Sequence, residues 1–345
     1  MRRRLVRVAL APAFALIIAA CGSAASEPVA SPTTVEPTTT LETIPPPPPP
    51  TWPLTGLPMA DGTTSAHPAV AVKIDNSADA WPQVGINQAD LVYEVWVEGI
   101  TRFATIFHST PGDPVGPVRS ARSTDINLVG NLGKPLLAWS GGNPGVTGQV
   151  KEAEAWGTLV DASHSVAEPH YWRQAGRTAP HNLFTNVSSL ITAVPGGGSP
   201  APVAAFRSDG EPLHPGALPA AGVQVDFGLG SVVEYRWDPA RSCWARFQEG
   251  PFVDEAGEQV CPANVVVMHT QYGPSVADAR SPEAYSVGDG EMMLLSDGQA
   301  ILGRWARPEA GAAWSFVAFD GAPLALTPGR TWFALPRAGS PVTLL

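Results

Sequence analysis

Lysine is nearly absent from this 345-residue chain, occurring only at positions 73, 134 and 151. Charged residues of all kinds make up 15% of it, well below the roughly 25% usual for soluble domains. There is no basic run beyond the arginines at the amino terminus, and 31 acidic residues outnumber 21 basic ones, for a net charge of −10. Without a basic face to displace counterions from a phosphate backbone, nucleic acid is not an expected partner. Sharp catalytic motifs are missing as well. The chain has no G-x-S-x-G elbow, H-E-x-x-H pair, phosphate-binding G-x-x-x-x-G-K loop, G-x-G-x-x-G turn, C-x-x-C pair or EF-hand loop, so the common hydrolase, nucleotide and metal folds are disfavoured. What is plentiful is Gly (34) and Pro (37), which predicts many loops and turns, while 44% hydrophobic residues exclude a wholly disordered chain.

The amino-terminal residues read as an address. Arg2, Arg3, Arg4 and Arg7 precede a short apolar stretch, Val8 to Ala20, that ends Ile18-Ala19-Ala20-Cys21. A charged n-region, a short h-region and small residues before a cysteine describe a signal peptide over 1–20, with a lipobox that makes Cys21 the lipidated residue. Cleavage there removes four Arg and no acids, so 17 basic (21 − 4) and 31 acidic residues remain, net −14. Membrane attachment must then come from the lipid on Cys21 and not from charge. Residues 22–52, rich in Ser, Thr and Pro and including six consecutive prolines at 45–50, predict a disordered tether with an extended polyproline end. Export also fits the two remaining cysteines, Cys243 and Cys261. In an oxidising compartment such a pair predicts a disulfide, and closing a loop over 18 positions contributes about 3 kcal/mol in the chain-entropy description.

In the folded part, β-branched runs at Val70 to Ile74, Leu91 to Val97, Phe103 to Phe107 and Pro135 to Trp139 read as strands. Helical spacing covers Arg119 to Leu132 and Val146 to Trp156, with a shorter piece at Ser188 to Val194. After the linker Pro195-Gly-Gly-Gly-Ser-Pro200 almost everything reads as strand and turn. The expected class is α+β, a mixed α/β first half followed by a mainly antiparallel β second half. The expected parts are an N-terminal α/β domain at 53–198 and a C-terminal mainly β domain at 199–345, either as two domains or as one fused sheet.

Several polar residues stand among these apolar runs: Lys73, Asp75, Asn76, Asp90, Glu94, Glu98, Arg102, Arg119 and Arg122. If Gly99-Ile100 is a two-residue turn, Glu98 pairs with Thr101, Glu94 with Thr105 and Arg102 lies opposite Val97. Glu94 and Glu98 then share a face about 13 Å apart, too far for a coupled carboxylate pair. Arg119 and Arg122, three apart at the start of an expected helix, repel unless an anion or carboxylate lies between them. Arg grips carboxylate and phosphate in a bidentate fork, and a helix N-terminus adds free N–H donors. The competing structural reading is a salt bridge from these arginines to Asp75, Glu94 or Glu98. A loop carrying His164, His170, Arg173, Arg177, His181 and Asn182 has the composition of a binding loop. Its histidines lack a carboxylate or cysteine at metal-ligand spacing, so neither a metal nor a cofactor is expected.

The segments VKIDNSADAWPQVGINQADLVYEVWVEGITRFATIF, VGPVRSARSTD, APHNLFTN, EYRWDPARSCWARF, NVVVMHT and LTPGRTWFAL together resemble the YerB-like bacterial lipoproteins, whose domain has no assigned function. The likeness spans roughly residues 55 to 340. It implies a lipid anchor and a low-complexity tether, and no reaction, cofactor or partner. The family pattern usually reads E-G-G-I-T-R-F where this chain has Glu98-Gly99-Ile100-Thr101-Arg102-Phe103, one glycine fewer, and the Cys243/Cys261 pair looks like a local addition.

These readings lead to a lipid-anchored protein on the extracytoplasmic face of the cell membrane, a binding or scaffolding module for an anionic ligand or envelope partner. Asp75, Asn76, Glu94, Glu98, Arg102, Arg119, Arg122, His181 and Asn182 are its candidate ligand residues. Two alternatives stand beside it: an envelope hydrolase using Glu94 or Glu98 with His164, His170 or His181, and a purely structural interaction module. A large exposed apolar patch on the β-rich half favours the last.

Overall fold

A computed structural model describes residues 49–208 and 210–345; the expected signal peptide, Cys21 and most of the tether lie outside the described residues. Thr51 and Trp52, assigned to the tether by composition, belong to the fold: Thr51 bridges to Pro58, and the Trp52 N–H donates to the Leu57 carbonyl at 2.8 Å.

The first half carries β1 (Val70–Ile74), β2 (Leu91–Val97), β3 (Ile100–Phe107), β4 (Leu136–Ala138), β5 (Val160–Asp161), β6 (Tyr171–Arg173) and β7 (Leu183–Thr185), with helices α1 (Ser123–Leu128), α2 (Pro144–Ala155) and α3 (Val187–Ala193). The second half is all strand: β8 (Leu218–Pro219), β9 (Gly222–Asp226), β10 (Val232–Asp238), β11 (Cys243–Phe247), β12 (Asn264–Met268), β13 (Tyr272–Pro274), β14 (Pro282–Ala284), β15 (Gly288–Ser296), β16 (Gln299–Arg307), β17 (Ser315–Ala318), β18 (Pro323–Leu324), β19 (Thr331–Leu335) and β20 (Val342–Leu344). The protein is therefore mainly β, and the expected mixed α/β character of the first half shrinks to three helices among the described residues. The helix expected from Arg119 to Leu132 is the shortest survivor, six residues long. Val118 bridges to Ile74 and the Arg119 N–H donates to the Lys73 carbonyl, so Arg119 runs extended beside β1.

Twelve strands form one sheet, in the order β18-β17-β16-β15-β12-β19-β2-β3-β1-β4-β5 with β8 added on β16. Its seam is the parallel pair β19–β2, Thr331 opposite Leu91 through Leu335 opposite Val95. Strands from both sides of residue 199 thus share one sheet, and residues 48–345 form a single compact unit. All five residues of β1 are buried, as expected of a strand covered on both faces. One face packs Leu128, Val129, Val146 and Val150 of the α1–α2 region against Tyr93, Val95 and Phe333. The other packs Val92, Phe103 and Trp332 against α3 and against a second sheet, β11-β10-β9-β20, through Val223, Tyr235 and Trp244. Cys243 and Cys261 are joined in a disulfide.

The β2–β3 hairpin turns one residue earlier than expected. Val97 pairs with Ile100, Glu94 with Phe103 and Arg102 with Val95, so the turn is Glu98-Gly99, with φ of 52° and 96°. A two-residue turn of this kind needs positive φ at both central positions, which glycine accepts and the β-branched Ile100 resists. The register moves by two, which preserves faces: Glu94 and Arg102 still point to opposite sides of the sheet.

A buried histidine gives the fold a pH dependence. His108 is 4% exposed; its ring lies 4.5 Å from that of His67 and 5.3 Å from that of Trp52. Its backbone N–H donates to Asp90 at 2.7 Å. Burial, then the neighbouring His67, pushes His108 down to about 4, from 6.5. The unfolded chain therefore takes up a proton on this group as pH falls below 6.5 while the folded chain resists it. Stability present above that value is lost towards pH 4. Urea midpoints at pH 7 and 4.5 should differ less in His108→Gln than in the wild type; an unchanged difference would remove His108 as the cause.

Candidate functional site

Asp75 and Asn76 follow the end of β1, and adjacent residues of an extended chain point to opposite faces. They organise two polar clusters, one on each side of the sheet.

On the side of the second sheet, Asn76 Nδ2 donates to Thr101 Oγ1 at 2.7 Å and to Gln248 Oε1 at 3.1 Å, while its Oδ1 accepts from Trp81 Nε1 at 2.9 Å. Thr101 Oγ1 donates to Glu94 at 2.7 Å, and Arg246 Nη2 donates to both Glu94 (2.7 Å) and Gln248 (2.8 Å), closing a ring. Tyr235 Oη and Trp332 Nε1 supply two further donors to Glu94, at 3.0 and 2.9 Å. Both charged side chains of the Glu94–Arg246 pair are fully buried. The Arg246 guanidinium also lies 4.1 Å from the Phe252 ring centre and about 5 Å from those of Trp332 and Phe103, where the ring faces favour a cation. A fully committed, fully buried carboxylate of this kind is a structural group. Neither Glu94 nor Glu98 contacts a histidine among the described residues, so the carboxylate–histidine pairing expected of a hydrolase is not formed.

On the side of α1, Asp75 Oδ2 accepts from Arg119 Nε at 2.9 Å and from His181 Nδ1 at 2.7 Å, and its Oδ1 from the Ser77 N–H at 3.1 Å. Burial alone raises the Asp75 carboxyl, but Arg102, the Ser77 N–H, His181 and Arg119 together outweigh it and hold the group below its ordinary value. Lys73 and Asp125, both fully buried, pair at 2.7 Å below the cluster. Arg122 donates to Glu98 at 3.2 Å and to the Ala121 carbonyl at 3.1 Å. The salt bridges weighed against an anion site are thus present for Arg119 and Arg122. The helix-terminus donor is not: Asp125 already accepts the Arg122 N–H at 2.7 Å, and α1 is too short to supply a further site.

Arg102 differs from its neighbours. Among the described residues four arginines are buried: Arg102, Arg207, Arg246 and Arg307. Arg207 donates to Ser296, Asp297, Thr327 and the Glu211 carbonyl, Arg307 to the Ala310 and Ala312 carbonyls, and Arg246 to Glu94 and Gln248. Arg102 donates no hydrogen bond among the described residues and stacks on no ring there. Its Nε is enclosed without a partner, and the nearest carboxylate oxygen, on Asp75, is 3.9 Å away. Burial, with Arg119 and Arg122 close by, pulls this guanidinium below its ordinary value against the opposing effect of Asp75 and Glu98. Four cationic side chains (Lys73, Arg102, Arg119, Arg122) face three carboxylates (Asp75, Glu98, Asp125), a local excess of +1 in an acidic chain.

His181 Nδ1 is approached by Asp75 and, at 3.1 Å, by Ser77 Oγ, while its Nε2 faces the exposed Asp79 at 3.9 Å. A serine–histidine–aspartate relay needs serine and aspartate on opposite ring nitrogens; here both sit on one. Asn182 accepts from Arg173 at 2.7 Å and donates to the Arg177 carbonyl at 3.1 Å, tying its own loop. His164 meets Tyr171 edge to face, with ring centres 5.5 Å apart. Among the described residues no group of three or more His, Cys, Asp or Glu is placed to hold a metal ion.

Of the nine candidate residues, the structure brings Asp75, Arg102, Arg119, Arg122, Glu98 and His181 together and sends Asn76 and Glu94 to the opposite face, with Asn182 bracing the loop that delivers His181. The sequence reading missed Arg246 and Gln248. Arg246 shares its strand face with Trp244, which is fully buried, and an arginine in phase with a core tryptophan signals a buried partner.

Comparison with known proteins agrees with this architecture. "Putative lipoprotein YerB" of Bacillus subtilis (strain 168) is 30% identical over 292 residues, 81% of this chain and 84% of that protein. The crystal structure of YerB protein from Bacillus subtilis superposes with a TM-score of 0.72 at 25% identity, covering 85% of this chain and 99% of that one. Residues 54–198 match the N-terminal domain, and 223–333 the C-terminal domain, of the protein family of unknown function DUF3048. With both domains in order and most of its length aligned to such a relative, the chain belongs to the DUF3048 family.

Proposed function

We propose that this chain is a lipid-anchored protein on the outer face of the cell membrane whose folded part binds an anionic ligand through Arg102, Arg119 and Arg122. The location is supported by the lipobox ending at Cys21 and by the name of the Bacillus relative. The binding function is supported above all by Arg102, a buried guanidinium with its donors uncommitted. A buried charge whose nearest counter-ion, Asp75, stands 3.9 Å away without a hydrogen bond is costly, and a carboxylate or phosphate is the planar or tetrahedral acceptor that fits its fork. Arg119 commits only its Nε, to Asp75, and stands beside it. Asp75 and His181 position Arg119. Binding is preferred to catalysis because Ser77 and Asp75 share one nitrogen of His181 and Glu94 is saturated with donors.

The test is thermal unfolding of the full chain in mild detergent, with inorganic phosphate as one probe and muramyl dipeptide as a carboxylate-bearing wall probe. A ligand at 100 times its dissociation constant stabilises by about 2.7 kcal/mol. A rise in Tm with either probe that disappears in Arg119→Gln supports the reading and tells phosphate from carboxylate. No shift with any anionic probe, at concentrations up to tens of millimolar, contradicts it.

A further inference from the structure

The second sheet ends on β20, and its outer edge is open. Among the described residues β20 pairs with β9 alone, Val342 opposite Val225 through Leu344 opposite Val223. The flanking bonds, Asp226 N–H to the Pro341 carbonyl and Leu345 N–H to the Gly222 carbonyl, place residues 341, 343 and 345 at the hydrogen-bonded positions facing β9. The N–H and C=O groups of Val342 and Leu344 therefore point outward, where no described backbone group pairs with them. Open edges are usually blunted by shortness, a charge, an internal proline or a bulge; β20 is three residues long, but it carries no charge and no proline.

Beside this edge lies an apolar groove of about 270 Å³ whose walls include Leu218, Leu302, Phe319 and Leu344. These four side chains are 64%, 53%, 60% and 44% exposed, and large apolar groups gathered in one exposed place mark interaction surfaces.

We propose that a second copy of this chain covers the groove, with β20 pairing antiparallel to β20 across a two-fold axis. The open edge favours this occupant because its geometry is self-complementary. With Thr343 opposite Thr343 of the second copy, Val342 and Leu344 of each chain meet as hydrogen-bonded pairs. That register satisfies the outward backbone groups of both strands and sets apolar against apolar on the groove face. The two grooves then abut, and the two four-stranded sheets become one of eight. This surface is separate from the arginine cluster, so the pairing does not depend on anion binding.

The register predicts a cross-link. Residues opposite each other at a non-hydrogen-bonded position have Cα atoms about 4.5 Å apart, within disulfide reach, and Thr343 would occupy that position. Cys243 and Cys261 are already joined to each other. In the full chain embedded in membrane vesicles, Thr343→Cys should form a disulfide-linked dimer under mild oxidation, whereas Thr64→Cys, a surface control, should not. Adding Leu302→Glu, an exposed change outside β20 that leaves the fold intact, or Leu344→Lys should abolish the dimer band. Cross-linking of Thr343→Cys no greater than that of Thr64→Cys, or dimer persisting in the Leu302→Glu background, overturns the proposal.

Discussion

Replacing Arg246 by Met is expected to lower the free energy of unfolding by about 3–5 kcal/mol, because it leaves the fully buried Glu94 carboxylate without its cation. Thr101, Tyr235 and Trp332 still donate to Glu94 in the variant, which limits the loss but does not neutralise the charge. The change also frees Gln248 and removes the cation held among Phe103, Phe252 and Trp332. Since Arg246 belongs to the second sheet and Glu94 to the large one, undocking of the two sheets is the expected failure. Urea unfolding followed by tryptophan fluorescence measures it. Glu94→Gln combined with Arg246→Met should recover part of the loss, because the pair is coupled and the single changes are not additive. A single-variant loss below about 1 kcal/mol would show that Glu94 tolerates isolation and that the ring of hydrogen bonds is not what joins the sheets.

Replacing Arg102 by Met carries the opposite sign. Arg102 is nearly as buried, yet it donates no hydrogen bond among the described residues, and Asp75 keeps Arg119, His181 and the Ser77 N–H without it. Removing a buried charge that lacks a close partner, while keeping an apolar stem of similar length, relieves a desolvation cost. It also relieves repulsion from Arg119 and Arg122. The expected result is stability equal to the wild type or higher by about 1 kcal/mol, with loss of anion binding, the trade between stability and function expected of a binding residue. Equilibrium unfolding in the absence of anions reads the first part directly. Arg102 and Arg246, two buried arginines in one protein, should thus move in opposite directions.

Much of this was legible in the sequence, and the failures have physical reasons. β1 and β2 were readable to the residue because strands covered on both faces are largely apolar runs with turn residues at their ends. The helix expected at Arg119 to Leu132 shrank to Ser123–Leu128 because Gly116-Pro117-Val118 bridges back to β1 and β7, a tertiary contact that local spacing does not register. The hairpin register failed by two because a turn assigned to Gly99-Ile100 ignored the backbone demand that excludes isoleucine. That error left the opposite-face assignment of Glu94 and Arg102 intact, since side-chain direction repeats every two residues. The choice between two domains and one fused sheet was beyond local patterns, because the parallel seam joins Leu91–Val95 to Thr331–Leu335 across most of the chain. The candidate cluster was legible as a set of polar residues out of place in apolar runs. Its division into a saturated pair and an open arginine was not, because Arg246 lies 152 residues from Glu94.

The most direct measurement is the urea unfolding free energy of the wild type and Arg102→Met, each with and without saturating anionic probe, phosphate or muramyl dipeptide. An anion site built on Arg102 predicts that the probe stabilises the wild type by about 2–3 kcal/mol and leaves the variant unchanged, while the unliganded variant is at least as stable as the unliganded wild type. An unliganded variant weaker than the wild type by 3 kcal/mol or more, with neither protein responding to the probe, would make Arg102 a structural cation and contradict the site.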